Sequence, residues 1–297
     1  MCIRIKSWSA KHLFFAGRLT LVSSVLMALQ NYWAQIMILP KSIFKVVNGI
    51  CRSFLWKGTT DSSVPGKVAW NTVCKSKKEG GLGLTNLRMW NIATMGKHDY
   101  SPKSDDSWYW RAICQIKDLM KQHITENQLM AISKYSIKKA YLKLMGPAPV
   151  QYRTTAVWGR LGQPKHRFII WLALLGRLNT KDRLMKICVT TDNTCLLCGI
   201  AIEDHKHLFS GCPFSERCWH QIGLWLGIRC TRNLPELVNW LHKRSVTKFR
   251  KEVIYAVVMC TVYHIWKERN NALWNGQVCK VDKWASPLEK LGCKVAC

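Results

Sequence analysis

Acidic side chains are scarce in this chain. Asp and Glu together number 17 against 45 Lys and Arg in 297 residues, a formal net charge of +28. The first hundred residues hold only Asp61, Glu79 and Asp99. Two-metal phosphoryl transfer needs carboxylates that converge on the ions, and here they are few and scattered. Asp105 and Asp106 are adjacent, but they sit in a Ser, Pro and Lys stretch with no helix or strand pattern. Other catalytic signatures are missing too. A phosphate loop would need glycine where Asp61 or Asn91 stands. Gly80-Gly81-Leu82-Gly83 lacks dinucleotide-binding spacing, and a polymerase turn ending in Asp105-Asp106 would need Tyr in place of Lys103. No Gly-x-Ser-x-Gly elbow occurs. The residues therefore predict a protein that is not an enzyme.

Secretion and membrane signals are also lacking. Met1-Cys2-Ile3-Arg4-Ile5-Lys6 does not read as a signal peptide, and there is no Asn-x-Ser/Thr acceptor. The expected compartment is intracellular and reducing, with nucleus and cytoplasm not distinguished. Most of the 14 cysteines are then small buried apolar residues, and a subset are metal ligands. Leu19 to Leu39 carries no charge and is about long enough to span a bilayer. Thr20, Ser23, Ser24, Gln30, Asn31 and Gln35 interrupt it, and Pro40 follows. The run reads as an amphipathic helix or helix pair, with no membrane partner.

Charge of the other sign is abundant. Residues 1–100 carry 14 basic against 3 acidic side chains, residues 101–190 carry 16 against 5, and residues 191–297 carry 15 against 9. Such an excess suits an anionic partner, and nucleic acid is the usual one. Three groups stand out as phosphate contacts. They are Lys75, Lys77 and Lys78 beside the glycine turn; Lys138 and Lys139 at a helix start; and Lys165, Arg167, Arg177, Lys181 and Arg183 around an apolar helix. Most of the 15 tryptophans lie in apolar surroundings and are expected in the core.

Helical periodicity dominates and few segments read as strands. Residues 4–55 read as helical, with Leu19, Val22, Leu26, Leu29 and Trp33 on one stripe and a break at Pro40. A second helix from about Ser42 puts Phe44, Val47, Ile50, Cys51, Phe54 and Leu55 on one side. Residues 57–66 form a loop, and 98–107 form a polar linker. Helices are expected over 108–120, over 137–144 behind a Ser136 cap, over 168–178, after Thr180, over 213–226 and over 248–274.

The sharpest constellation is Cys195-Leu196-Leu197-Cys198-Gly199, followed by His207 and Cys212. Two thiolates two residues apart, closed by glycine, curl the backbone around one ion. A His and a Cys further on complete a tetrahedron. Four sulfur or nitrogen ligands with no open position is the pattern of structural zinc. His205 is the alternative to His207, and Cys188, Cys218 and His220 lie nearby.

In order along the chain come Ala16-Gly17-Arg18-Leu19-Thr20-Leu21, Leu39-Pro40, Phe54-Leu55-Trp56-Lys57-Gly58, Val68-Ala69-Trp70 and Lys77-Lys78-Glu79-Gly80-Gly81-Leu82-Gly83-Leu84. Then follow Tyr135-Ser136-Ile137-Lys138-Lys139-Ala140-Tyr141, Arg177-Leu178-Asn179-Thr180-Lys181-Asp182-Arg183-Leu184, the Cys/His set with Pro213, and Ile265-Trp266-x-x-Arg269-Asn270. This run of motifs resembles the C-terminal part of a plant LINE-type, non-LTR retrotransposon reverse transcriptase. It implies a mainly α fold in which a helical thumb- or connection-like segment precedes a helical domain with a small Cys-Cys-His-Cys zinc knuckle. The implied domains are 1–97, resembling the thumb or connection; the linker 98–107; the reverse-transcriptase zinc-binding domain over 108–228; and a C-terminal helical region over 229–297.

The resemblance places the catalytic palm before this chain. It also marks 98–107 as a junction of segments usually farther apart, as in a partial retroelement reading frame. The implied cofactor is structural Zn²⁺ and the implied partner is RNA or DNA of low sequence specificity. The expected function is non-catalytic nucleic-acid binding. The alternative is a protein-interaction adaptor in which the zinc domain is only a scaffold.

Overall fold

Proline and glycine punctuate a chain that is otherwise helical. A computed structural model describes residues 13–26, 32–34, 36–59, 65–95, 107, 111, 114–115, 118, 135–149, 151–228, 233–276 and 278. They belong to two compact units, Met1–Val150 and Gln151–Cys297. Among the described residues there is no strand, and the one β-bridge joins Thr194 to Ile202. The mainly α architecture expected from the periodicity is the one observed.

In the first unit, α1 spans Phe15–Leu21 and widens into a π turn over Val22–Leu26. Thr20 and Ser24 donate their hydroxyls to the carbonyls of Ala16 (3.1 Å) and Thr20 (2.8 Å). Such back-bonding competes with the regular ladder and bends a helix. The chain leaves helix at Met37–Pro40, so the charge-free run is broken before Pro40. No helix among the described residues is long and apolar enough to cross a membrane. Trp33, placed on the apolar stripe by its spacing, is 53% exposed.

Pro40 precedes α2, Lys41–Lys57, which buries Phe44, Val47, Ile50, Cys51, Phe54 and Leu55 as its periodicity requires. Gly58 closes the helix at φ 74° and donates back to Phe54 and Ser53. After α3, Trp70–Cys74, a single 3₁₀ turn over Lys77–Glu79 is held by a Ser76/Glu79 capping box. The glycines that follow are obligatory. Gly80 sits at φ 85°, and a Cβ on Gly81 would lie 2.0 Å from the Lys75 carbonyl oxygen.

Helix α4, Leu87–Met95, packs on α5, Ile137–Met145. Ser136 caps α5 through the Lys139 amide, as expected from its position. Ile92, Ala93, Met95 and Ala140 form the shared core, and Tyr135, Ile137 and Tyr141 close over it. Two polar side chains fasten this core to the chain before α2, and one of them, Thr94, donates its hydroxyl to the Ala34 carbonyl at 2.6 Å. Asn91 is 2% exposed; its amide donates to Ala34 (2.7 Å) and Met37 (2.8 Å), and its oxygen accepts from the Leu39 amide (3.1 Å). Asn91→Leu removes all three hydrogen bonds and leaves the half-buried Leu39 amide without its acceptor. It is expected to destabilise this unit by about 2–4 kcal/mol, read as a lowered urea midpoint at unchanged m-value.

The second unit contains α6 (Arg153–Trp158), α7 (Pro164–Leu174), α8 (Lys181–Lys186), α9 (Pro213–Leu226), α10 (Leu234–Lys243) and α11 (Lys248–Asn275). Helix α7 lies against α11, and α6 packs on α7, α10 and α11. The apolar helix expected over 168–178 begins four residues earlier. Pro164 stands in its first turn, and Gly176 at φ 63° follows its end. Thr180 occupies the cap position of α8, but its hydroxyl donates to Asp182 instead of receiving a backbone amide. Helix α9 runs from Pro213 to Leu226, the limits expected from sequence, and is closed by Gly227; α11 is closed by Gly276. The linker 98–106 and most of 108–134 lie outside the described residues. Arg111, Cys114, Gln115 and Asp118 within the second stretch are helical.

Candidate metal centre

The knuckle is built by short-range backbone geometry. The Cys195 amide donates to Ala201, and the Gly199 amide returns to Cys195, each at 2.8 Å. Gly199 adopts φ 69°, a left-handed turn that suits glycine. This hairpin brings Cys195 and Cys198 to one side. A π segment, His207–Gly211, supplies the third group, and the Cys212 amide closes that segment by donating to His207 at 2.7 Å. Pro213 then opens α9, so Cys212 stands at the entry to a helix.

The Sγ atoms of Cys195, Cys198 and Cys212 and an imidazole nitrogen of His207 all lie within 4.8 Å of one another. Cys195 and Cys212 are buried, and Cys198 and His207 are half-buried. Sγ of Cys195 is 3.9 Å from Sγ of Cys212, and Sγ of Cys198 is 3.3 Å from His207 Nε2. A tetrahedral ion with bonds of about 2.3 Å to sulfur and 2.0 Å to nitrogen sets ligand edges of roughly 3.3–3.8 Å. The spacing fits such an ion and is far too long for a disulfide of about 2.05 Å. Three thiolates and an imidazole suit zinc, and all four positions are filled by protein. The arrangement therefore supports fold and leaves no site for a reactive water.

Electrostatics within the cluster follow from one shared proton. Cys195 donates to the Cys212 sulfur, which raises the Cys195 thiol and lowers that of Cys212. A bound metal replaces that proton with its own charge.

Two further residues fix this geometry without touching the cluster. Asp204 accepts the His207 amide at 2.6 Å and so orients the π segment. Its position three residues ahead of His207 was a readable capping signal. Glu203, fully buried, accepts the Lys181 amide at 2.9 Å and pairs with Arg269 of α11 at 2.7 Å. No local pattern announces that pair.

The alternatives considered from sequence stand elsewhere. His205 turns to the α7–α8 turn: its Nε2 accepts the Leu178 amide at 3.1 Å, and Thr180 lies 3.4 Å from Nδ1. Burial lowers the His205 pKa. Cys188 is exposed, Cys218 is buried in α9 and His220 is exposed. Among the described residues none of these joins the four.

The basic residues singled out from sequence fall into both units and into two kinds. Lys77, Lys78, Lys138 and Lys139 are exposed, and Lys75 is half-buried. In the second unit Arg177 is exposed, and Lys165 reaches over the Tyr263 ring at 5.2 Å. Arg167 donates to Gly159 (2.7 Å) and Arg160 (2.9 Å), and Arg183 to Gly176 (2.6 Å). Lys181 departs from the expectation of a solvent-facing phosphate contact. It is 7% exposed, and its Nζ lies 2.6 Å from Asp192. That hydrogen bond, with the Thr194 amide, pulls the Asp192 carboxyl well below the usual range. The charge of Lys181 holds the segment before Cys195 and is spent inside the fold.

The carboxylates around the knuckle are likewise engaged. Asp182 receives the Thr180 hydroxyl and lies 4.0 Å from Lys186. Asp192, Glu203 and Asp204 have the partners given above. Asp105 and Asp106 lie outside the described residues.

Over 114 residues the chain is 34% identical to a protein of Arabidopsis thaliana provisionally named a ribonuclease H protein. The match takes in 38% of this chain and 18% of that protein, so the chain spans less than a fifth of the relative's length. Residues 135–219 match a family described as zinc-binding in reverse transcriptase. The Cys3His knuckle thus lies inside the part of the chain that is similar to a zinc-binding family of reverse transcriptases, and its donor set is one that zinc fits.

Proposed function

We propose that this chain is a non-catalytic, zinc-stabilised nucleic-acid-binding part of a plant LINE-type retrotransposon reverse transcriptase. Cys195, Cys198, His207 and Cys212 hold one structural zinc. Exposed lysines on the first unit, together with Arg177 on the second, contact phosphates with little regard to sequence. The observation that carries the reading is the closed Cys3His cluster within the stretch similar to the reverse-transcriptase zinc family. The +28 net charge supplies the attraction, because cations that neutralise phosphates release counterions. The absence of catalysis is supported by what the carboxylates near the knuckle do: each is committed to an amide, a hydroxyl or a cation of the fold. The name of the Arabidopsis relative supports a partner that is nucleic acid.

The test is a titration of labelled RNA and single-stranded DNA at about 50 and 200 mM salt. Affinity is expected to fall steeply, by about a thousandfold if six or more phosphates are neutralised. Reversing Lys77, Lys78, Lys138 and Lys139 to Glu together is expected to weaken binding at low salt on every sequence alike. Equal, weak affinity at both salts would overturn the reading and leave the zinc domain as a scaffold for protein partners.

A further inference from the structure

The turn between α10 and α11 was not among the basic groups that composition picked out. Residues 240–252 hold Lys243, Arg244, Lys248, Arg250 and Lys251, against Glu252 as the only acid. The fold draws these cations together: Lys251 Nζ donates to the His242 carbonyl at 3.0 Å, bridging the end of α10 to the start of α11. Among the described residues none of the five has a carboxylate within ion-pair distance, in contrast to Lys181 and Arg269. Cations in the first turn of α11, which itself holds no acid, repel one another and the helix dipole. An anion relieves both.

Aromatic rings stand among these charges. Phe249 is 60% exposed in the first turn of α11. The larger part of this ring faces water, next in sequence to Lys248 and Arg250. Trp240 is half-buried, with the Arg244 guanidinium 4.8 Å from its ring centroid. Flat rings alternating with cations are how proteins hold single-stranded nucleic acid: bases stack on the rings while phosphates meet the charges. A bilayer is the poorer match, because one protruding ring offers little apolar area to insert.

From this we infer that the α10–α11 turn is a single-strand-binding surface, with Phe249 and Trp240 as stacking rings and Lys243, Lys248 and Arg250 as phosphate contacts. It rests on the nucleic-acid reading above and names where on the second unit the strand lies.

The test uses the full chain with zinc bound and a fluorescein-labelled oligo-dT of about twenty nucleotides, followed by anisotropy at several salts. Phe249→Ala is expected to weaken binding about tenfold while leaving the salt slope unchanged, since no charge is lost. Lys248→Gln with Arg250→Gln is expected to flatten the slope by about 1.4, at about 0.7 for each lost contact to a single strand. All three side chains are exposed, so zinc stoichiometry and far-UV circular dichroism are expected to match the parent. If the parent binds with steep salt dependence and both variants bind identically to it, this surface is not the interface, although the broader reading stands. If the parent binds at no salt, the broader reading falls as well. Binding to phosphatidylserine vesicles that exceeds binding to oligo-dT and is lost in Phe249→Ala would assign the ring to a membrane surface and overturn the inference.

Discussion

Cys212→Ser is expected to strip the chain of its zinc and to unfold the segment from Asn193 to Cys212. Serine is a poor zinc ligand, and the remaining three donors leave an open corner. Leu208, Phe209 and Glu203 tie the far end of this segment into the fold, but little besides the ion holds the hairpin that carries Cys195 and Cys198. The hairpin is closed by a single β-bridge, Thr194 to Ile202, and Ile200 and Ile202 are 80% and 58% exposed. Structural zinc in comparable small peptides contributes about 10–16 kcal/mol, comparable to the whole stability of an ordinary domain. Native mass spectrometry is expected to find one zinc per parent chain and none in the variant. Chelation of the parent is expected to reproduce the variant's circular dichroism. His205→Ala supplies the contrast, because its ring serves the Leu178 amide, and it is expected to keep one zinc. Loss of metal from His205→Ala with retention in His207→Ala would reassign the ligand.

The second large effect lies 66 residues apart in sequence. Arg269→Ala leaves the Glu203 carboxylate at zero exposure with no countercharge, and is expected to cost about 3–5 kcal/mol. Both Nε (2.9 Å) and Nη2 (2.7 Å) of Arg269 approach the same Glu203 oxygen, Oε1. Arg269→Lys keeps a charge but loses that fork, so it is expected to recover only part of the loss. The paired replacement Glu203→Gln with Arg269→Met is expected to be more stable than Arg269→Ala, because no lone charge stays buried. Urea unfolding of the zinc-bound chain measures all three. A shift below about 1 kcal/mol for Arg269→Ala would show that Glu203 is satisfied without its partner.

These two sites show which features a sequence exposes. The knuckle was legible because its ligands are chemically distinctive and its spacing is local. Helix limits were legible wherever one residue decides them: Ser136 before α5, Pro213 before α9, Gly58 after α2. The Glu203–Arg269 pair was invisible, since its two halves meet only when α11 packs beside the knuckle. Lys181 looked like any other lysine in a basic run, and only the fold puts Asp192 against it. Helix α7 was displaced by four residues because apolar residues continue past Leu174 to Leu175 and Leu178, while the backbone turns at Gly176. Asn91 gave no sign of its three backbone partners, which lie more than fifty residues earlier in the chain.

Helix α11 is long enough to act as a ruler. Its cation-rich start at Lys248 and its buried anchor at Arg269 are 21 residues apart, about 32 Å along the axis. Glu203 admits one guanidinium at one height, so the helix cannot slide by a turn without parting that pair. The distance from knuckle to outer tip is thereby held to a single value, close to nine base steps of a stacked strand at about 3.4 Å each. Loss of the metal would release the clamp at one end and let that measured separation drift.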